Sequence, residues 1–156
     1  MNRMIALLLI ALPFPALASQ CDHWTASMQE DEGGPVMMAN ICAPAGKNTH
    51  ELSMNCGEKG KLSIRYLPAN FLPAEGFKTD IQFSLGQEMF TRPAQYEEMD
   101  GAMVVDIDIG SPFLSVLQSQ KQMTLSHTGG KVPSATFTLK GSKAALAKLI
   151  ATCSEQ

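Results

Sequence analysis

AMVVDIDI, residues 102–109, alternates apolar and polar side chains. Met103, Val105, Ile107 and Ile109 fall on one face; Val104, Asp106 and Asp108 fall on the other. A period of two is that of a pleated strand with one dry and one wet face, whereas a helix brings its apolar positions back about every 3.6 residues. The same rhythm extends along the chain in both directions. Trp24 to Gln29 and Val36 to Cys42 flank the turn Asp31-Glu32-Gly33-Gly34-Pro35. Glu51 to Cys56 and Lys61 to Leu67 flank Gly57-Glu58-Lys59-Gly60, with Leu52, Met54 and Cys56 sharing a face and Leu62, Ile64 and Tyr66 sharing one on the partner. After the connection from Pro68 to Gly76, Phe77 to Leu85 alternates again through Ile81, Phe83 and Leu85. Met89 to Asp100 reads as a strand, a bend at Arg92-Pro93, and a polar loop. Lys121 to Ser126 and Lys131 to Lys140 form a hairpin about His127-Thr128-Gly129-Gly130.

Two helices interrupt this pattern. Ser111-Pro112 is an N-cap followed by proline at the first helical position, with Phe113, Val116 and Leu117 on one side. Ser142 is expected to cap the last helix, where Leu146, Leu149, Ile150 and Cys153 repeat as one buried stripe. The fold class is therefore mainly β: an antiparallel β-sandwich or curled sheet of about seven to nine strands, with one short internal helix and a C-terminal helix.

The cysteines add the covalent frame. All four, Cys21, Cys42, Cys56 and Cys153, follow the first twenty residues. An even count in a small exported chain implies two disulfides and an oxidising compartment. Folding the first hairpin about its turn sets Cys21 opposite Cys42. Cys153 faces the core from its helix and Cys56 from its strand, which favours a second bridge between them. The connectivities 21–56 with 42–153 and 21–153 with 42–56 stay open.

Residues 1–18 read as a signal peptide: Arg3 at the positive start, an apolar stretch from Ile5 to Phe14, and Ala16-Leu17-Ala18 before the cut. The apolar run falls well short of the roughly 20 residues of a membrane span, and no later run is longer. Residues 19–156 are expected to form a single β-rich domain. Bulky Gln20, just before Cys21, argues against a lipid anchor. The formal charge of −3 becomes −4 once Arg3 is removed, and the bases are scattered, so nucleic acid is not an expected partner.

One arrangement of residues resembles a known group. Trp24 and the acidic turn near Asp31 precede a Leu-x-x-x-Cys strand, Leu52 to Cys56, and a central alternating strand. Phe113, Leu114 and Leu117 follow in a helix. Ala135-x-Phe137-x-Leu139-x-Gly141 then leads to Ala145-Leu146-x-x-Leu149-x-x-x-Cys153. The chain resembles the small periplasmic proteins grouped as invasion-associated locus B-like, and the VasI-type proteins linked to type VI secretion. The resemblance implies a Gram-negative envelope and host association or support of a secretion apparatus. It supplies no catalytic motif to place on these positions.

The residues themselves carry little chemistry. His23, His50 and His127 lie far apart without metal spacing and read as surface or edge histidines. Met37-Met38, near Met28 and Met54, are soft ligands suited to copper(I), but methionine also fills irregular cores. Asp106 and Asp108, with Glu97, Glu98 and Asp100 upstream, lack a calcium loop and read as a wet strand face. No Gly-x-Ser-x-Gly elbow or Cys-x-x-Cys occurs. No catalytic, cofactor or metal residues are therefore assigned. The expected function is a soluble, exported, non-enzymatic domain, periplasmic or secreted, that binds another envelope or extracellular protein. The candidate surface is Arg92 to Gly101, with Arg92, Tyr96, Glu97 and Glu98, and Tyr96 as its aromatic contact. The alternative is a periplasmic inhibitor of an envelope-targeting hydrolase such as lysozyme.

Overall fold

The structure is a computed structural model that describes residues 21–154. The signal segment 1–18 lies outside the described residues. Nine strands form one antiparallel sheet. They are β1 (Thr25–Asp31), β2 (Gly34–Ala45), β3 (Asn48–Cys56), β4 (Lys61–Leu67), β5 (Lys78–Leu85), β6 (Glu88–Glu97), β7 (Ala102–Asp108), β8 (Gln122–His127) and β9 (Ala135–Thr138). Helix α1 (Pro112–Ser119) follows β7, and α2 (Ser142–Cys153) ends the described chain. The strand order is β1-β2-β3-β4-β7-β6-β5-β8-β9. The curled-sheet form of the expectation is the one observed.

Alternation sets the inner face. Met103, Val105 and Ile107 of β7 are buried, while Asp106 and Asp108 are exposed. Leu52, Met54, Leu62, Ile64 and Tyr66 bury from β3 and β4, and Ile81, Phe83 and Leu85 from β5. All belong to one core. The sheet curls until β9 meets β2. Trp24 pins the closure: its backbone N–H donates to the Lys140 carbonyl (2.8 Å) and its indole Nε1–H to the Thr138 carbonyl (3.0 Å). Helix α2 lies against β1 to β4 and buries Leu146, Leu149 and Cys153. Helix α1 presses Phe113 edge-on to Phe83 and Phe90.

Both expected bridges form. Cys56–Cys153 ties the end of α2 to β3, with Cα atoms 5.3 Å apart. Cys21–Cys42 spans 4.6 Å, but not through the expected register. Thr25 pairs with Asn40 and Asp31 with Gly34, because the hairpin turns tightly at Glu32-Gly33. Extending that register would set Cys42 opposite position 23. Instead Cys21 and Asp22 leave the strand in a turn that brings Cys21 back.

Other local expectations are corrected. No bend occurs at Arg92-Pro93: β6 is continuous, and Pro93 pairs with Asp80 of β5. The ladder to β7 reaches only Gln95 to Glu97, so Pro93 lies where β6 has one partner strand, a setting that tolerates a missing N–H. The β8–β9 connection runs through residue 134, longer than the turn expected at 127–130. Ser111 holds the N-cap position but its hydroxyl makes no capping bond. The N-cap of α2 is Gly141, not Ser142. Gly141 has φ +84, and an added Cβ would meet the Trp24 carbonyl at 3.0 Å. Ser142 is the first helical residue and donates its buried hydroxyl to the Leu117 carbonyl (3.1 Å), joining the two helices.

Candidate functional site

The outer face of β1 to β4 carries short polar side chains in register. Thr25 lies opposite Asn40, Asn40 opposite Ser53, and Ser53 opposite Arg65. Neighbouring strands lie about 4.8 Å apart, so this row runs about 14 Å from Thr25 to Arg65. It floors a groove of about 490 Å³, which is also lined by His23, Gln29, Glu51 and Asp100. His23 reaches it from the turn held by the Cys21–Cys42 bridge, where its ring hydrogen-bonds Asp22 at 2.6 Å and lowers that carboxyl's pKa.

Arg65 is the organising side chain. It reaches from β4 over Val104 of β7, its register partner, and its Nη2 donates to both the Glu97 and Asp100 carboxylates. Its side chain is only 21% exposed, against 45% for Glu97 and 51% for Asp100. Glu97 ends β6 and Asp100 belongs to the turn into β7, which closes when the Gly101 N–H donates to the Glu98 carbonyl (3.2 Å). The guanidinium thus holds this turn at the rim of the groove by charge-assisted hydrogen bonds. On its other side Glu97 borders a second, shallow depression of about 820 Å³ where β6 and β7 part, lined also by Lys78, Asp80, Pro93 and Asp106.

The four residues expected to form a partner surface do not form one patch. Along β6, Phe90, Arg92, Ala94 and Tyr96 share one face; Gln95 and Glu97 share the other. Arg92 lies 5.9 Å from the Phe90 ring and donates to the Thr91 carbonyl. Tyr96 is buried, packs edge-on against Phe71 at 6.0 Å, and donates its backbone N–H to the Phe77 carbonyl. The expected exposed aromatic contact is thus a core side chain. Glu97 and Glu98 remain at the surface, the first bound to Arg65 and the second on the turn with Met99, which is 95% exposed.

The histidines divide. His23 and His127 lie near the surface, but His50 is buried, contrary to the reading that placed all three at the surface or an edge. Its Nδ1 accepts the Ala69 N–H at 3.1 Å, and the Tyr66 hydroxyl lies 3.1 Å from the same nitrogen while donating to the Pro133 carbonyl at 2.7 Å. An accepting Nδ1 is unprotonated, and burial lowers the His50 pKa accordingly. Burial also raises the Tyr66 phenol, which stays un-ionised as a donor. Met54 and Met103 are core side chains, and Met28 is exposed. Among the described residues, no group of three or more His, Cys, Asp and Glu side chains is placed to hold a metal ion, and no helix is long and apolar enough to cross a membrane.

Arg65 was missed because its partners lie 32 and 35 residues away along the chain. The available signal was a lone arginine on the wet face of a strand in an acid-rich chain.

The chain is thus of the mainly β class: a curled antiparallel sheet stapled by two disulfides, with an acid-clasped arginine at the rim of an outer groove. Its fold is similar to that of a solved structure, invasion associated protein B from Bartonella henselae. The TM-score is 0.57 at 14% identity, over 83% of this chain and 92% of that one. That likeness meets, at the level of fold, the invasion-associated resemblance carried by the residues from Trp24 to Cys153. No protein-family model and no curated protein matches the chain.

Proposed function

We propose that this chain is an exported, non-enzymatic domain that binds another protein of the cell envelope or its surroundings, and that the outer groove with the turn at residues 97–101 is the face it uses. The observation carrying this reading is the clasp of Arg65 by Glu97 and Asp100, which holds a surface turn in place beside an open groove. A pre-ordered face loses less freedom on association than a mobile one. Two disulfides support an oxidising compartment. The fold shared with an invasion associated protein supports a role at the surface a bacterium presents to its host.

A photo-crosslinking amino acid placed at Glu98, and separately at exposed Ala147 of α2, tests this reading in cells that make the protein. Position 98 is expected to yield one discrete adduct and position 147 none. Equal labelling from both positions would reject the groove as the binding face.

A further inference from the structure

We infer that the outer groove takes an extended, positively charged segment of a partner protein; this inference rests on the groove being the face that captures partners. The first ground is charge. Glu51 and Asp100 line the groove, Glu30 and Asp31 line an adjoining pocket that shares Arg65 and Asp100, and Glu97 joins them through Arg65, the one guanidinium on this face of the groove. That is a formal −4; the chain without its signal segment also carries −4, so the residues outside this face balance to zero. The protein's negative charge is gathered on this face. Arg65 does not oppose a cationic guest, because two carboxylates already share it.

Shape is the second ground. The floor carries a row of hydroxyl and amide side chains, Thr25, Asn40 and Ser53, running toward Arg65, with apolar Met38 and Leu67 beside it. At about 3.3 Å per residue, its length of about 14 Å accommodates four or five residues of extended chain. Short hydroxyls and amides can both donate to and accept from a peptide backbone, while the acidic rim meets basic side chains. Anionic lipid headgroups and nucleic-acid phosphates carry the wrong charge for this rim.

Fluorescein-labelled hexalysine, followed by anisotropy with the exported chain of residues 19–156, is the probe. Binding is expected at about 20 mM salt and is expected to weaken severalfold by about 150 mM, as screening shortens the reach of the field. Glu97→Gln with Asp100→Asn should weaken it by about tenfold or more, or about 1.4 kcal/mol. Glu51→Gln, which leaves the clasp of Arg65 intact, should weaken it severalfold and covers the case in which the double variant misfolds. Glu58→Gln with Glu88→Gln removes two exposed charges away from the groove and should change little. Amide shifts on titration should concentrate at Thr25, Asn40, Ser53 and Arg65. Equal loss from the remote pair, shifts spread over the whole surface, or equal binding of hexaglutamate would overturn the inference. A native partner that crosslinks through Glu98 yet is not displaced by hexalysine would also remove the cationic occupant, while leaving the capture face standing.

Discussion

The Cα of Cys153, in the last turn of α2, lies 5.3 Å from that of Cys56, the last residue of β3. This link closes 97 residues of chain, whereas Cys21–Cys42 closes 21. Chain-entropy reasoning assigns about 4 to 5 kcal/mol to the larger loop and about 3 kcal/mol to the smaller. Cys56→Ala with Cys153→Ala should therefore cost more stability than Cys21→Ala with Cys42→Ala, as read by urea unfolding. The reverse order would show that the α2 staple is not the main covalent constraint.

His50 should make stability depend on pH. Its folded-state pKa is lowered by burial from the 6.5 of a free imidazole. Between the lowered value and 6.5 the unfolded chain binds more protons than the folded one, so stability rises with pH across that window. The contribution is complete above about 6.5 and declines as the pH falls through the window. His50→Gln keeps an acceptor for the Ala69 N–H without a titrating group and should flatten this part of the profile. Urea midpoints measured at a series of pH values decide the matter, and an unchanged slope in the variant would assign it to other groups.

Arg65→Ala should separate order from stability. Partly exposed ion pairs contribute about 0 to 1 kcal/mol each, so the unfolding midpoint should move little. The turn at residues 98–101, released from its clasp, should exchange its amides faster, and the Gly101 N–H is the reporter. Unchanged exchange there would mean the turn is held by its own backbone.

Gly141→Ala tests the junction between β9 and α2. A φ of +84 disfavours any side chain, and the new Cβ would crowd the Trp24 carbonyl. The expected cost is about 1 to 2 kcal/mol. Near-UV circular dichroism of the sole tryptophan should change with it. Leu149→Ala, which empties a fully buried site under the same helix, should cost about 2 to 5 kcal/mol.

Much of this architecture was legible because alternation is local. In β3, β4, β5 and β7, side chains two apart report directly which face is dry. The stripe Leu146, Leu149, Cys153 named the inner side of α2 by the same logic, and two inward-facing cysteines on separate elements were enough to suggest their bridge. The β1–β2 register was not legible to the residue: several tight turns fit Asp31 to Pro35, and β1 is largely exposed, so burial did not decide among them. The continuity of β6 through Pro93 was hidden because it depends on how far the β7 ladder extends.

The sequence by itself determined a β-rich chain, the apolar face of most strands, and the buried side of each helix, since all of these follow from periodicity within single elements; the even cysteine count implied two bridges but left their pairing open. Tertiary structure alone decided the candidate site. Hydrophobic burial fixes the inner face but leaves outer side chains free to find any partner. Only the order β4-β7-β6 brings Arg65 to Glu97 and Asp100, and only the β3–β4 pairing, with Pro133 bound to the Tyr66 hydroxyl, sets His50 against Ala69 and Tyr66.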